Sequence, residues 1–223
     1  MSEDYYTPAA DAESQAVAVT GLGTLLGEMK WKLPGCDDLE IRKTLGEVFR
    51  EFCRTTSALT WERAFTVTQE LLHLRVGVPF SCIADSLVSV ALGGREVCSR
   101  NYTFSNDGAS VHFHFSRDWL ESVLADDDQH HRHRLSMKLV LVPMVGAESA
   151  PTQFMQAHSE AFVAGALARL AAMQGKPWST PETAAMNAAV YDNLRSAAAL
   201  RQMHDGGATG NVPNSCRIRR LPL

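Results

Sequence analysis

Hydrophobic residues follow a helical period in the segment after the turn signal Leu33-Pro34-Gly35. Asp37 and Asp38 lie just before this segment, and aspartate both caps a helix N terminus and suits its positive dipole. The apolar positions at this spacing are Leu39, Ile41, Leu45, Val48, Phe49, Phe52 and Cys53. The pattern predicts an amphipathic helix from residue 39 that ends in the poor helix formers of residues 55–57.

Between residues 65 and 145 the period shortens to two, which is typical of β-strands. The strand-like runs are residues 65–71, 87–92, 102–104, 111–115 and 139–142. The third and fourth runs flank the turn signal Asn106-Asp107-Gly108, which predicts a β-hairpin. Several short strands at this spacing predict a small sandwich or barrel.

Helical spacing returns after Pro151 and continues to the turn formed by Gly175, Lys176 and Pro177. The apolar residues of this second stripe are Phe154, Phe162, Val163, Ala166, Leu167 and Leu170. Ser179 or Thr180 is expected to begin a further, alanine-rich helix, and Ser179 with Glu182 has the spacing of a capping box. That helix is predicted to reach about residue 203 and to end in the Asp-Gly-Gly of residues 205–207.

These elements predict an α+β fold, namely a helical bundle with an inserted small antiparallel β domain and an extended C-terminal tail. The β segment falls between the first and second helices of the bundle, so the helical core is built from two separate stretches of sequence. The predicted divisions are an N-terminal arm and apolar segment at 1–32, helical core at 33–62, β domain at 63–150, helical core at 151–205 and tail at 206–223.

Composition excludes several classes of protein. The chain has 223 residues, is 45% hydrophobic and carries a formal net charge of −4, so it can bury a core and lacks the basic excess of many nucleic-acid-binding proteins. No run approaches the ~18 apolar residues that a membrane span requires. Residues 1–15 are acidic and polar, unlike a signal peptide. We therefore expect a protein that is made in the cytoplasm and has no membrane partner.

Metal and thiol chemistry is only weakly indicated. The cysteines are Cys36, Cys53, Cys82, Cys98 and Cys216. Their number is odd and no pair has C-x-x-C spacing, which argues against a disulfide framework and against a zinc ribbon. His130, His131 and His133 lie in a charged HHRHR segment, and His112 and His114 share one face of a predicted strand. Neither group offers three or four converging ligands, so we expect no metal and no cofactor.

No catalytic residue is predicted. The sequence contains no G-x-S-x-G elbow, no papain-like cysteine context and no phosphate-binding loop that ends in Lys-Ser or Lys-Thr. The third glycine of GLGTLLG, at residues 21–27, is one residue late for the dinucleotide fingerprint. The chain is therefore expected not to be an enzyme, and the alternative is a metal-dependent enzyme that uses the HHRHR segment.

Trp178 and the C-terminal segment each have a structural and a functional interpretation. Trp178 either packs a helix–helix corner, with its indole N–H on a carbonyl, or binds a ligand, and we favour packing. Residues 217–223 either fray or dock on a partner. Docking is favoured because their alternating basic and apolar side chains gain nothing from exposure to solvent.

Two blocks of sequence combine uncommon motifs. The first contains LPGCDDLEIR at residues 33–42, FREFCRTT at residues 49–56 and Trp61. The second contains GALARL at residues 165–170, GKPWS at residues 175–179, and Pro181 with Ala184 and Ala185. Together they resemble the head–tail adaptor, or neck, proteins of tailed bacteriophages, including prophage and gene-transfer-agent relatives. Tyr191 and Leu194-Arg195 depart from the family's pattern, which has an aromatic residue and a glycine three positions later.

The resemblance implies a structural protein that forms a ring, usually twelvefold, beneath the portal. The implied partners are the portal protein, further copies of the chain, and the next neck or tail component, which is a stopper, a nozzle or the tail tube. Viral DNA would pass through the channel without sequence-specific binding. The implied location is the neck of the virion, after assembly in the host cytoplasm. Another neck or tail ring, a stopper or a terminator, is a further alternative.

The resemblance also marks two groups of residues. We expect a structural motif at Phe52, Trp61, Gly165, Leu170, Gly175, Lys176, Pro177 and Trp178. The family's basic ending has its counterpart in the tail, where we expect portal binding by Arg217, Ile218, Arg219, Arg220, Leu221 and Leu223. Arginine suits acidic portal groups because it forms bidentate pairs with carboxylates.

Overall fold

The computed structural model describes residues 18–67, 72–108, 110–125 and 133–207. The helices are α1 (Leu26–Lys32), α2 (Asp38–Thr56), α3 (Arg117–Ala125), α4 (Thr152–Ala171) and α5 (Pro181–Gly207). The strands are β1 (Val19–Gly21), β2 (Thr60–Val67), β3 (His73–Gly77), β4 (Cys82–Leu92), β5 (Arg95–Glu96), β6 (Tyr102–Asn106), β7 (Ser110–Phe115), β8 (His133–Pro143) and β9 (Ser149–Pro151). The predicted α+β class is confirmed.

The described chain divides into a β unit and a helical unit. The β unit comprises the described residues from Thr60 to Leu141, and the helical unit combines residues 18–59 with residues 142–207. The predicted β domain of residues 63–150 extends further toward the C terminus than the β unit does. The turn at residues 144–148 and strand β9 belong to the helical unit, because β9 pairs antiparallel with β1 directly before α4.

Helix α2 begins and ends as its sequence predicts. The Asp37 carboxylate accepts a hydrogen bond from the Leu39 backbone N–H at 3.5 Å. At the other end Ser57 adopts a left-handed backbone with φ of 54°, and its N–H donates to the Cys53 carbonyl. The predicted apolar stripe is buried at Ile41, Leu45, Val48, Phe49, Phe52 and Cys53. Leu39 is the exception, because its side chain is 72% exposed.

Helix α4 is the central helix of the helical unit. It contacts α2, α5, β1 and β9, and residues 161–167 are all buried. The sequence predicted one apolar stripe, whereas the middle of the helix is covered on every side. The small side chains of Ala161, Ala164 and Ala166 make this possible, because they let neighbouring elements approach closely on several faces.

Gly165 marks the closest approach of three helices. A Cβ atom at this position would lie 2.7 Å from Cγ1 of Val48 on α2 and 2.8 Å from Cδ2 of Tyr191 on α5. Carbon atoms in van der Waals contact are about 3.5–4.0 Å apart, so any larger residue here would have to push a neighbour away. Glycine is therefore the residue that this crossing requires.

An aromatic cluster fills the space between α2 and α4. Phe162 of α4 makes edge-to-face contacts with Phe49 and Phe52 of α2, at centroid distances of 5.5 Å and 5.3 Å. The His158 ring completes the cluster, 5.0 Å from the Phe52 ring and 4.8 Å from the Phe154 ring. Burial lowers the pKa of His158, and the charge of Arg201 lowers it further, so the neutral imidazole is favoured.

The turn between α4 and α5 is held by hydrogen bonds to the last residue of α4. Both the Ser179 hydroxyl and the Thr180 backbone N–H donate to the Ala171 carbonyl, at 3.3 Å and 3.0 Å. Pro181 is the first helical residue of α5 and the Ala184 N–H donates to the Thr180 carbonyl, so Thr180 occupies the capping position. The predicted capping box on Ser179 is therefore wrong, because that hydroxyl donates to the Ala171 carbonyl at the end of α4 instead.

The β unit contains two sheets within its described residues, with strand orders β2-β8-β4-β5 and β3-β7-β6. The predicted hairpin is confirmed, since β6 and β7 pair antiparallel with Tyr102 opposite Phe115. Its turn is held by side chains. The Asn106 Oδ1 atom accepts from the Gly108 N–H, and the Asp107 Oδ1 atom accepts from the Ser110 N–H, both at 2.7 Å.

Helix α3 was not predicted. It follows β7 directly, and the Leu120 N–H donates to the Ser116 carbonyl at 3.0 Å in its first turn. The Trp119 ring stacks on Phe115 at 6.1 Å, and Leu120 is buried. Apolar pairs at residues 119–120 and 123–124 are four residues apart, which is a helical signal, but a nine-residue helix holds too few periods to stand out.

We predict that Gly165→Ala destabilises the protein by about 1–3 kcal/mol, because the added methyl group overpacks the α2–α4–α5 crossing. The matched control is Gly46→Ala in α2, where a Cβ atom would meet nothing within 4 Å. That change should be neutral or stabilise by up to ~1 kcal/mol, since alanine favours a helix over glycine. Thermal and denaturant unfolding of both variants checks this. Equal stability of the two variants would contradict the close approach.

We predict that acidification destabilises the helical unit through His158. The unfolded state binds a proton near the ordinary pKa of 6.5, whereas the folded state binds it only at lower pH. Stability is therefore fully present above pH 6.5 and falls as the pH drops from 6.5 toward the folded-state pKa. His158→Leu removes this proton, so its melting temperature should fall less across that window. If the melting temperature falls equally steeply with pH in the wild type and in His158→Leu, this mechanism is excluded.

Candidate functional site

A shallow groove runs between the first half of α2 and the turn at residues 144–148, and its volume is about 210 Å³. We call it the α2 groove. Its lining residues are Leu39, Arg42, Lys43, Gly46, Glu47, Arg50, Met144, Val145, Gly146, Ala147 and Glu148. All of them belong to the helical unit. The backbone at the far end of the turn is fixed, because the Leu22 N–H donates to the Glu148 carbonyl at 2.7 Å.

The apolar side chains of the α2 groove are unusually exposed. Val145 is 82% exposed and Leu39 is 72% exposed, while Met144 is less exposed at 42%. Gly146 has a positive φ of 84°, which lets the turn reverse and present Val145 at its tip. Exposed apolar residues that share one concave surface are typical of a site where another chain binds. The groove is therefore a candidate binding surface.

The charged side chains of the α2 groove are mainly cationic. Glu148 lies 4.0 Å from Arg42, and Glu47 lies 4.0 Å from Arg169, so both acidic residues of the groove have a cationic neighbour. Lys43 and Arg50 are exposed and form no ion pair with any residue that the structure describes. The groove therefore offers two free positive charges beside exposed apolar groups, which suits an acidic and apolar segment.

A second exposed surface follows the length of α5. Its residues, which we call the α5 seam, are Met186, Ala189, Asn193, Ser196, Leu200 and Met203. They alternate in steps of three and four, which is the spacing of a coiled-coil contact line. Every one of them is exposed. The small residues in the middle and the large apolar residues near the ends would allow another helix to approach closely.

The motif residues of the helical unit lie at the crossing of α2, α4 and α5. Phe52 and Leu170 are fully buried, and Gly165 is the contact point. Tyr191, in the region where the adaptor pattern has an aromatic residue, lies against Gly165 and 6.5 Å from the Phe52 ring. Burial, followed by the charge of Glu51, raises the pKa of Tyr191 to about 12. A large buried ring therefore lies where the helices meet.

Ion pairs join the same three helices beside this crossing. Arg169 of α4 contacts Glu51 of α2, and Arg195 of α5 lies 3.5 Å from the same carboxylate. Arg195 also lies 2.9 Å from Asp192, and its guanidinium is 5.4 Å from the centre of the Tyr191 ring. These side chains are about one third exposed or more, so each pair contributes little by itself. Their geometry orients the helices.

The GKPW part of the motif forms an exposed turn. Gly175 has a positive φ of 73°, and the Lys176 ammonium lies 5.5 Å from the centre of the Trp178 ring. Trp178 is half-buried, and its Nε1 atom is buried without a hydrogen-bond partner among the described residues. The expectation that the indole N–H meets a carbonyl is therefore wrong. The Ser179 and Thr180 donors already occupy the nearby Ala171 carbonyl.

Trp61, the remaining motif residue, belongs to the β unit. It lies on β2 opposite Leu139 of β8, and the Arg63 guanidinium is 5.6 Å from the centre of its ring. It is thus not part of the helix crossing.

The histidines of the β unit share the face of the β3-β7-β6 sheet that lies opposite its buried residues. His73 is opposite His114, and one Nδ1 atom donates to the other at 2.9 Å. His112 contacts Asp107 at 3.0 Å, and this hydrogen bond is the main reason why the pKa of Asp107 lies below its ordinary value. Among the described residues, no group of three or more His, Cys, Asp or Glu is arranged to hold a metal ion.

Several predicted site residues lie outside the described residues. These are the portal-binding residues Arg217, Ile218, Arg219, Arg220, Leu221 and Leu223, together with His130, His131 and Cys216. His133 is the first residue of β8. Among the described residues, Cys36, Cys53, Cys82 and Cys98 form no disulfide, and burial raises the pKa of Cys82 to about 12.

A scan against protein-family models finds no matching family, and a search of curated proteins finds no significant match. In the part of the chain that the structure describes, no helix is both long and apolar enough to cross a membrane.

We predict that Trp178→Ala destabilises the protein by about 1–3 kcal/mol, which is less than a fully buried tryptophan would contribute. Trp178→Phe is the matched control. It keeps much of the apolar contact and removes the unpaired N–H, so it should cost less than the alanine variant. Thermal unfolding measures both. An unchanged melting temperature for Trp178→Ala would contradict a packing role and would make Trp178 an interface residue.

Proposed function

We propose that this chain is a structural head-to-tail adaptor of a tailed phage, which forms a ring beneath the portal and extends the DNA channel toward the tail. The observation that carries the proposal is the contact between the two blocks of sequence that resemble the adaptor family. More than 100 residues separate Glu51 of the first block from Arg169 of the second, yet their side chains form an ion pair beside the helix crossing. The motifs are thus parts of one packed core, as a shared ancestral fold requires.

The arrangement of the two blocks gives further support. The first block supplies α2 and the second supplies α4 and the start of α5, while the β unit is inserted between them in sequence. A β segment placed inside a helical bundle is the organisation that the adaptor resemblance implies. Random similarity of two short motifs would not predict that both belong to the same helical unit.

Two different exposed surfaces support assembly into a ring. In a cyclic ring each subunit contacts its neighbours through two unlike surfaces, which must be complementary. The helical unit presents the α2 groove, which is concave and cationic, and the α5 seam, which is a helix face. Each is small, so a ring built from them would rely on many repeated contacts.

The remaining parts of the proposal concern partners. The portal protein would contact the tail at residues 217–223, the next neck or tail component would lie below the ring, and DNA would pass through it. The protein would then reside in the neck of the virion. A stopper or terminator ring would use the same surfaces without binding the portal directly, so portal binding is the property that separates these roles.

We predict that deletion of residues 212–223 leaves the melting temperature nearly unchanged but abolishes attachment to the portal encoded by the same genome. Arg217, Arg219 and Arg220 would lose their pairs with acidic portal groups, and Ile218, Leu221 and Leu223 would lose apolar contacts. Purified portal rings are mixed with the full chain or the truncated chain, and co-sedimentation and electron microscopy measure the added ring.

The matched control is a chain in which residues 212–223 are scrambled, which keeps composition and charge. It should fail to attach like the truncation. If the truncated chain still binds DNA-free portals, the tail does not dock on the portal, and the arginines contact DNA instead. If the full chain itself fails to bind the portal, the adaptor proposal is wrong, and a stopper or terminator role becomes the better one.

A further inference from the structure

We propose that the α2 groove binds the acidic N-terminal segment of a neighbouring copy of this chain, with residues 3–6 as its centre. This inference rests on the proposed ring, because it names the contact that one subunit makes with the next. Residues 1–17 lie outside the described residues, and their sequence alone is used here.

The charges of the segment and the groove are complementary. Residues 1–17 contain four acidic residues and no lysine or arginine. The α2 groove has Lys43 and Arg50, which form no ion pair with a described residue, beside the Arg42–Glu148 pair. A segment that brings carboxylates to these cations would neutralise charge that the isolated helical unit leaves in solvent.

The order of side chains in the segment also fits the groove. Glu3 and Asp4 are followed directly by Tyr5 and Tyr6. The groove places its cations on α2 next to the exposed apolar groups of Leu39, Met144 and Val145. Tyrosine suits such a place, because its ring can cover apolar surface while its hydroxyl remains near water. Acidic and aromatic residues thus match cationic and apolar residues.

The course of β1 favours the neighbour's segment over the chain's own, and the charge-swap experiment distinguishes the two. Gly21 lies opposite Ser149 at the groove end of β9, whereas Val19 lies opposite Pro151 at the far end. The Ala18 carbonyl accepts from the Thr152 N–H at 2.8 Å, further still from the groove. Traced backward, the strand therefore leads away from its own groove, and at about 3.3 Å per residue it does so by roughly 10 Å over three residues.

A peptide titration tests the groove directly. Labelled peptide of residues 1–17 is added to the full chain and its fluorescence anisotropy is measured. Lys43→Glu with Arg50→Glu should weaken binding roughly tenfold, because two attractions become repulsions. The matched control, Arg95→Glu with Arg117→Glu, makes the same charge change at exposed residues of the β unit and should bind like the wild type. No binding, or equal binding by both variants, would overturn the proposal.

A charge-swap experiment tests binding between copies. One full chain carries Lys43→Glu with Arg50→Glu, and the other carries Glu3→Lys with Asp4→Lys. In each variant alone, the N-terminal segment and the α2 groove carry charge of the same sign. Neither variant should therefore self-associate in sedimentation velocity. Their mixture pairs opposite charges and should associate. A mixture that stays monomeric at the concentration used would overturn docking between copies.

The outcomes for this contact and for the adaptor role are separate. Portal attachment that fails while the mixture associates leaves the groove contact standing and removes the adaptor proposal. Portal attachment that persists while the peptide fails to bind removes the groove contact alone.

Discussion

The helical unit depends on one steric constraint, which is that side chains of two helices pack directly against a third helix at a residue with no side chain. Gly165 lets α4 approach Val48 of α2 and Tyr191 of α5 at a distance that a methyl group would not allow. The close approach brings the Phe49, Phe52 and Phe162 rings into edge-to-face contact and sets Arg169 and Arg195 around Glu51. These contacts orient the helices, and they depend on the close packing of Val48 and Tyr191 against Gly165.

The sequence predicted the parts of this fold that depend on local periodicity. The buried face of α2, the end of α4 before Gly175, and the β6–β7 hairpin all follow from residues near one another in the chain. The expectation that failed at Ser179 was also local, but two helix ends compete for that hydroxyl, and a capping-box pattern considers only one of them. Similarly, α3 was too short for its period to be recognised.

The candidate site was much less predictable, because it joins residues that are far apart in sequence. The α2 groove exists only where residues 39–50 lie beside residues 144–148, so neither segment indicates it alone. Leu39 fits the helical stripe by spacing, yet its exposure is decided by what covers the first turn of α2. The pairing of His73 with His114 likewise depends on strand register, which alternation within each strand does not determine.

The exposed surfaces of the helical unit make more sense for a subunit than for a solitary protein. A monomer gains nothing from presenting Val145 at the tip of a turn, or from exposing Met186, Leu200 and Met203 along α5. In the proposed ring, flanking charge on α2 would keep such surfaces soluble before assembly, and the same charge would select the partner that covers them. In a closed ring each weak contact is repeated at every interface, so rigidity can arise from surfaces that would hold two isolated copies together only briefly. A subunit built in this way can remain dispersed in the cell and still form a firm ring once a template collects its copies.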